Sequence, residues 1–153
     1  MSGVGPLRPV GDATSQFFWE GCQQDQLLIQ QCNNCGAYIH WPRPMCRHCL
    51  SFDLSPKQVS GRGSIYTFTI CRQSFHPWFH DKLPYVLAVI ELVEQPGLRL
   101  VSNIIDIPVD DVRVGMEVEV YFDHIDDELT LPMFRPLMDL SPASAIDVEK
   151  DAA

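Results

Sequence analysis

The sequence predicts a mainly β protein in which a short N-terminal helix and a small metal-binding ribbon precede a closed barrel of five strands. Three observations support this fold class. Two Cys-x-x-Cys pairs lie close together in the first third of the chain, five β-rich segments follow residue 60, and 46% of the 153 residues are apolar. A chain of this length and apolar content buries a core without help, which argues against a disordered protein.

Residues 1–25 are expected to form a loose arm followed by a helix that ends near Gln23. The residues that can cap this helix are Asp12, Thr14 and Ser15. Three consecutive aromatic residues lie on it: Phe17, Phe18 and Trp19. Three adjacent side chains cannot all face one core, so we expect some of them to contact another module or a partner protein. The alternative is that all three cover the ribbon of this chain.

Four of the six cysteines have the spacing of a structural zinc site. Cys32 and Cys35 form one pair, and Cys46 and Cys49 form the second pair after a gap of ten residues. Two such pairs facing each other supply four thiolates in a tetrahedron, about 2.3 Å from the metal. Four protein ligands leave no open position for water, so we expect a structural Zn²⁺. Iron in the same sulfurs, or two disulfides in an oxidising compartment, are the alternatives.

The zinc ribbon is expected to cover residues 26–58. Alternating residues predict a strand at 27–31 that leads to the first cysteine pair, and a returning strand at 37–41. The segment 54–59 then leads to a glycine-rich break at 60–64 between the two modules.

The barrel is expected to cover residues 59–138. The five segments with strand character are Ile65–Ile70, Tyr85–Leu92, Arg99–Ile105, Val118–Phe122 and Leu129–Leu137. The second of these is nearly continuously apolar, as in a central barrel strand. Five short strands separated by turn signals favour a small closed barrel of the OB type, with a β-sandwich as the alternative. Residues 139–153 are small and acidic and are predicted to be disordered.

The formal net charge of −9 is unevenly distributed along the chain. Residues 26–80 carry five basic residues and one acidic residue, whereas residues 81–153 carry sixteen acidic and five basic residues. The acidic part argues against long polyanions and anionic membranes as partners. No apolar run approaches the length of a membrane span, and the N-terminus lacks the pattern of a signal peptide. We therefore expect a cytoplasmic protein that binds neither nucleic acid nor membrane.

The order of these motifs resembles one protein family. The segments that carry the resemblance are Phe18-Trp19-Glu20, Leu27 to Gln31, Cys32-x-x-Cys35-Gly36, Pro42-Arg43-Pro44-x-Cys46-x-x-Cys49, Ser60 to Thr67, Leu83-Pro84-Tyr85, Val114-Gly115-Met116 and Leu131-Pro132-x-Phe134. They are similar to the acyl-CoA-associated OB-fold family with an N-terminal rubredoxin-like zinc ribbon, a former domain of unknown function. The resemblance covers roughly residues 16–137.

The resemblance implies a non-catalytic accessory subunit. Members of this family bind and stabilise thiolase-like enzymes, among them thiolases and the retro-aldolases of steroid side-chain degradation, and help to hold the CoA thioester. It therefore implies a hetero-oligomer with an acyl-CoA enzyme, with Cys32, Cys35, Cys46 and Cys49 as the zinc ligands. The family supplies no catalytic residue that could be assigned to this chain.

Two groups of residues are candidates for binding. A CoA carries phosphates, so its site is expected on the basic segment, where the candidates are Arg43, Arg47 and Arg62. Alternatively, these are solvated surface arginines. The segment 75–80 carries Phe75, Trp78 and Phe79 between two predicted strands, and it either contacts a partner or packs over the barrel end.

Three other functions remain possible from the sequence. Zinc ribbons and OB barrels both occur in proteins that bind single-stranded nucleic acid, which is the main alternative although the acidic half opposes it. A rubredoxin-like electron carrier would hold iron in place of zinc. An independent enzyme is least favoured, because the sequence has no glycine-rich phosphate loop and no nucleophile elbow.

Overall fold

The computed structural model describes residues 5–137, which contain one α-helix and eight β-strands. The helix is α1 (Gln16–Gln23), and the ribbon strands are β1 (Leu28–Cys32), β2 (Tyr38–Ile39) and β3 (Leu54–Gln58). The barrel strands are β4 (Arg62–Cys71), β5 (Tyr85–Leu92), β6 (Arg99–Ile104), β7 (Glu117–His124) and β8 (Thr130–Pro136). Two 3₁₀ helices cover Pro77–Lys82 and Val109–Asp111. The predicted disordered segment 139–153 lies outside the described residues.

The ribbon is a three-stranded antiparallel sheet in the order β2-β1-β3, with β1 in the middle. Gln30 of β1 pairs with Ile39 on one side and with Pro56 on the other. The sequence predicted the first two strands but treated β3 only as a connection to the barrel. Pro56 and Lys57 give that segment no strand-like pattern, and proline is tolerated there because β3 is an edge strand.

The second unit is a closed barrel in the order β4-β5-β6-β8-β7, so the predicted five-stranded OB-type barrel is confirmed and the β-sandwich alternative is wrong. All neighbouring pairs are antiparallel except β6 and β8, which run parallel and pair through Ile104 and Phe134. Large apolar side chains such as Phe134, Ile65 and Ile90 are fully buried in the interior. The middle of the barrel is therefore a packed core.

Strand boundaries differ from the prediction at the start of the barrel. β4 begins at Arg62, so residues 62–64 are strand residues and do not belong to the break between modules. β5 does not have two buried faces, as its apolar run had suggested. Val86 and Ala88 point into the core, whereas Leu87 is 38% exposed, so the apolar run includes part of the outer surface of the barrel.

Helix α1 packs between the ribbon and the barrel. Phe18 is only 3% exposed, and its ring lies 5.3 Å from that of Trp41, which follows β2. On the barrel side, the amide of Gln23 donates to the carbonyl of Glu128 at 2.7 Å. Phe18 is thus a core residue, and the expectation that it contacts a partner is wrong. Phe17 and Trp19 are half-buried against the same cluster.

The turn before α1 is organised by one of the predicted capping residues. The carboxylate of Asp12 accepts hydrogen bonds from the backbone N–H groups of Thr14 and Ser15, at 3.0 and 2.8 Å. The hydroxyl of Ser15 also donates to this carboxylate, at 2.7 Å, and together with the backbone bonds it holds the pKa of Asp12 below its ordinary value. Among residues 5–137, no helix has both the length and the hydropathy needed to cross a bilayer.

Gly61 fixes the junction between ribbon and barrel. Its φ of +74° lies in the left-handed region, and its carbonyl accepts a hydrogen bond from the N–H of Val120 at 2.8 Å. A Cβ at this position would collide with the side chain of Val120. The position therefore requires glycine both for its backbone conformation and for the close approach of β7.

We expect Gly61→Ala to lower the free energy of unfolding by about 3 kcal/mol, because backbone strain and a steric clash act together. Gly97→Ala is the matched control, since Gly97 has a similar φ of +77° and open space around it. The control should lose only about 1 kcal/mol. Chemical denaturation of both variants measures the difference, and equal losses would mean that the contact with Val120 is unimportant.

Candidate metal centre and surrounding surface

The structure brings together the sulfur atoms of the two Cys-x-x-Cys pairs. The four Sγ atoms lie within 4.8 Å of one another. Across the pairs, Sγ of Cys32 lies 3.5 Å from Sγ of Cys49, and Sγ of Cys35 lies 3.7 Å from Sγ of Cys46. A tetrahedral metal at a Zn–S distance of about 2.3 Å requires sulfurs about 3.8 Å apart. The four donors therefore fit a tetrahedral zinc ion, which would cross-link the two loops without an open coordination position.

The two cysteine loops have the same backbone geometry. The N–H of Gly36 donates to the carbonyl of Cys32 at 2.8 Å, and the N–H of Leu50 donates to the carbonyl of Cys46 at 2.9 Å. Gly36 has a φ of +76° and Leu50 a φ of +63°. Glycine is the residue that adopts this conformation at least cost, so the sequence is consistent with the first turn. It gave no sign of the second, because leucine adopts this conformation only at a cost of about 1 kcal/mol.

Hydrogen bonds to Cys46 and Cys49 favour the thiolate form that binds metal. At Cys35 the backbone N–H of Ala37 acts in the same direction, but burial and the neighbouring cysteine sulfurs outweigh it and raise the pKa to about 12. The side-chain amide of Asn34 donates to Sγ of Cys49 at 3.4 Å and lowers the pKa of Cys49 to about 6. Backbone N–H groups of Cys49 and His48 lower the pKa of Cys46. By contrast, burial raises the pKa of Cys22 to about 12. Cys22, which lies outside the cluster, is therefore an inert thiol in the core.

Two of the three predicted CoA-binding arginines lie on one loop. Arg43 and Arg47 are exposed near the second cysteine pair, whereas Arg62 lies in β4, where its register partner is Glu119. None of the three forms an ion pair within residues 5–137. The structure therefore supports a shared location only for Arg43 and Arg47.

The backbone of Arg43 is held in place by a buried glutamine. The side-chain amide of Gln30, which is 7% exposed, accepts from the N–H of Arg43 and donates to its carbonyl, both at 2.9 Å. Arg43 borders a groove of about 280 Å³ whose apolar walls include Phe17 and Phe52. The groove thus combines aromatic rings with an arginine whose backbone is held by two hydrogen bonds.

A second glutamine joins the ribbon to the barrel in the same way. The side-chain amide of Gln95, in the turn between β5 and β6, accepts from the N–H of Tyr38 at 2.8 Å and donates to its carbonyl at 3.1 Å. Sequence analysis missed both Gln30 and Gln95. A single glutamine among polar residues gives no sequence signal that its side-chain amide will bond to the backbone of a distant residue.

The aromatic segment after β4 presents one side chain to solvent. Phe75 is 94% exposed, while Trp78 and Phe79 are half-buried in the 3₁₀ helix. The ammonium of Lys82 lies 4.6 Å from the ring centre of Trp78, and the rings of Phe79 and Tyr85 are 5.4 Å apart. The segment is therefore anchored on the barrel, with Phe75 left without packing partners.

We expect the purified chain to contain one zinc ion and no visible colour. Cys46→Ser should abolish stoichiometric zinc and lower the thermal stability of the ribbon, because it removes a fully buried donor. Cys71→Ser, which changes a cysteine outside the cluster, should keep the metal. Elemental analysis and thermal unfolding measure both effects. Bound iron with visible absorption, or full zinc content in Cys46→Ser, would contradict this assignment.

Comparison with known proteins places both halves of the chain in one family. Residues 19–55 match the family model of the ChsH2 rubredoxin-like zinc ribbon domain, and residues 56–123 match that of the ChsH2 C-terminal OB-fold domain. A solved structure named Ltp2-ChsH2(DUF35) aldolase is 40% identical with a TM-score of 0.77. That match covers 84% of this chain and 98% of the solved chain.

Two curated relatives differ in how much of their length is matched. A probable enoyl-CoA hydratase alpha subunit of Thermomonospora curvata is 40% identical over 129 residues, which are 84% of this chain but only 39% of that protein. A DUF35 domain-containing scaffold protein of Methanocaldococcus jannaschii is 32% identical over 112 residues, which are 72% of this chain and 77% of that protein. Since the ribbon and barrel match in the same order, this chain belongs to the DUF35 family, whose members join a rubredoxin-like zinc ribbon to an OB-fold barrel.

Proposed function

We propose that this chain is a non-catalytic accessory subunit that binds and stabilises a thiolase-like acyl-CoA enzyme, such as a thiolase or a retro-aldolase of steroid side-chain degradation. The observation that carries the proposal is the near-complete match to the chain named Ltp2-ChsH2(DUF35) aldolase. The name of the hydratase alpha subunit also links a relative to acyl-CoA chemistry. The scaffold relative supports a role without its own reaction.

The metal centre supports an accessory role. We assign Cys32, Cys35, Cys46 and Cys49 as ligands of a structural zinc ion. Within residues 5–137 these cysteines form the one group of three or more potential metal ligands. A zinc ion held by four thiolates has no position for a substrate or an activated water. Zinc in this chain would therefore maintain the ribbon and leave the chemistry to the partner.

Two aromatic groups at the surface are proposed to contact the partner enzyme. The first is the segment with exposed Phe75 and half-buried Trp78 and Phe79, and the second is the half-buried pair Phe17 and Trp19 on α1. Aromatic side chains of this kind contribute strongly to protein interfaces when they become buried. Phe75 supports the first surface best, because its ring is almost fully exposed on an otherwise anchored segment.

Co-expression with thiolase-like enzymes encoded near this chain should give a stoichiometric complex, and Phe75→Ser should weaken it at least tenfold, because a buried aromatic anchor is lost. Val93→Ser is the control, since it removes an apolar side chain that is also mostly exposed but follows the opposite end of β5 from the segment with Phe75. Size-exclusion chromatography with light scattering and a binding titration measure the effect. If the chain stays separate from each such enzyme, the accessory role is wrong.

The groove beside Arg43 is proposed to hold the nucleotide end of the CoA thioester. Phe17 and Phe52 offer ring faces on which an adenine can stack, and the guanidinium of Arg43 can bind a phosphate bidentately. Arg47 on the same loop would add positive charge. Arg62 would also add positive charge, although it lies in β4 and not on this loop. Residues 26–80 carry five basic residues and one acidic residue, and a zinc ion with four thiolates lowers this surplus of positive charge by two, so the segment is about neutral to slightly positive. An anion is therefore favoured here more than on the acidic barrel.

We expect Arg43→Gln to weaken CoA binding to the enzyme complex about tenfold, because a charge-assisted hydrogen bond is lost. Lys57→Gln removes the same charge from edge strand β3 and serves as the control. Calorimetric titration with CoA measures both variants. Equal losses would indicate a general charge effect, and unchanged affinity in Arg43→Gln would show that CoA binds elsewhere.

A further inference from the structure

A cavity of about 390 Å³ lies at one end of the barrel, beside the contact between β6 and β8. These two strands pair only at Ile104 and Phe134, so no continuous hydrogen-bond ladder joins the residues on either side of this pair. The 3₁₀ helix after β4 and the N-terminal arm lie over this end of the barrel and complete the walls. The cavity volume falls within the range of about 300–1,000 Å³ that small-molecule sites occupy.

The walls of this cavity are mainly apolar. The side chains that matter most are Leu7, Phe79, Ile105, Ile107, Ile125 and Met133. They come from the arm, the 3₁₀ helix, the end of β6 and both sides of the β7–β8 turn. Such a lining binds an apolar group by removing its surface from water.

The position of the cavity is that of a ligand site in OB barrels. Ligands of these barrels bind across the second and third strands, next to the loops that join strands one and two and strands four and five. Here those strands are β5 and β6, and the two loops carry the 3₁₀ helix and Ile125. The usual ligand face of the fold is therefore present and contains a formed cavity.

The charge of this face excludes the usual polyanionic ligands. Asp106 and Asp123 line the cavity, and the one cation in its walls, Lys82, lies over the ring of Trp78. Phosphates would be repelled by these carboxylates at short range. A single-stranded nucleic acid is therefore disfavoured, while a neutral apolar group meets no electrostatic penalty.

The N-terminal arm is held in place as one wall. Arg8 forms ion pairs with Asp126 and Glu128 in the β7–β8 turn. The preceding residues, Pro6 and Leu7, line the cavity. The arm thus contributes apolar surface that would otherwise be absent on that side.

We propose that this barrel-end cavity binds a neutral aliphatic chain, the acyl group of a thioester. The identification as an acyl group depends on the proposed function, whereas the preference for a neutral apolar ligand depends only on the lining and charge of the cavity.

The test uses a series of neutral acyl thioesters of N-acetylcysteamine, from acetyl to octanoyl, titrated into the full chain by calorimetry. These compounds lack the nucleotide, so their binding needs neither the arginines nor the partner enzyme. Affinity should rise about fourfold with each added methylene until the cavity is filled. Affinity that does not depend on chain length would overturn the proposal.

Two variants locate the binding site. Ile105→Trp should fill the cavity and weaken octanoyl binding at least tenfold. Its matched control is Val101→Trp in β6, the strand that Ile105 directly follows; Val101 is 63% exposed and outside the cavity, so this variant should bind normally. Leu7→Ser in the arm changes a mostly exposed residue and should weaken binding severalfold, which keeps the test valid if Ile105→Trp does not fold. Normal binding by Leu7→Ser, and by Ile105→Trp if that variant folds, would contradict the proposal.

Other occupants give different results. If the thioesters do not bind but Ile105→Trp prevents assembly with the enzyme, the cavity receives a partner side chain and the proposal is wrong. If a single-stranded oligonucleotide displaces the octanoyl thioester, the charge argument is wrong. If the thioesters bind in a chain-length-dependent way but no enzyme complex forms, the cavity assignment is upheld and the accessory role is contradicted. If the complex forms but the thioesters do not bind, the accessory role is upheld and the cavity assignment is contradicted.

Discussion

The ribbon has almost no apolar core of its own, so its fold depends on four sulfur atoms meeting at one point. Its buried cluster consists of Cys32, Ile39 and Cys46, and two of these three residues are metal-binding candidates. A three-stranded sheet of this size cannot bury enough surface to be stable alone. Structural zinc binding supplies roughly 10–16 kcal/mol of apparent free energy in comparable peptides, which is enough to offset that deficit.

The metal also influences the contact between ribbon and barrel, because β1 takes part in both. Its C-terminal residue, Cys32, lies in the metal cluster, while Ile29 packs with Phe18 in the same core as the barrel residues. The reciprocal bond between Gln95 and Tyr38 adds a second, polar connection. Loss of the metal would therefore release strands that complete one side of the common core, and α1 would lose the surface on which Phe18 packs.

The parts predicted correctly from the sequence are those with strong local patterns. Cys-x-x-Cys spacing identified the metal cluster, and alternation of apolar and polar residues identified the barrel strands. The errors arose where distant residues decide the outcome. β3 forms because β1 offers it an edge, although Pro56 weakens its own strand pattern. Leu50 adopts a left-handed conformation because the cysteine loop requires it, and Phe18 is buried because ribbon and barrel meet on both sides of one helix.

The uneven charge and the apolar cavity at the barrel end are the two features behind the proposal that this chain recognises both ends of a CoA thioester. A CoA thioester has a highly charged nucleotide and an uncharged acyl chain, and no uniform surface suits both. A phosphate is repelled by the carboxylates of Asp106 and Asp123, whereas an acyl chain is stabilised where water is excluded. Because the two contributions come from different residues, the affinity for the acyl chain and the affinity for the nucleotide can vary independently. If the proposed accessory role is correct, this arrangement would let the chain select among acyl groups while its partner carries out the reaction.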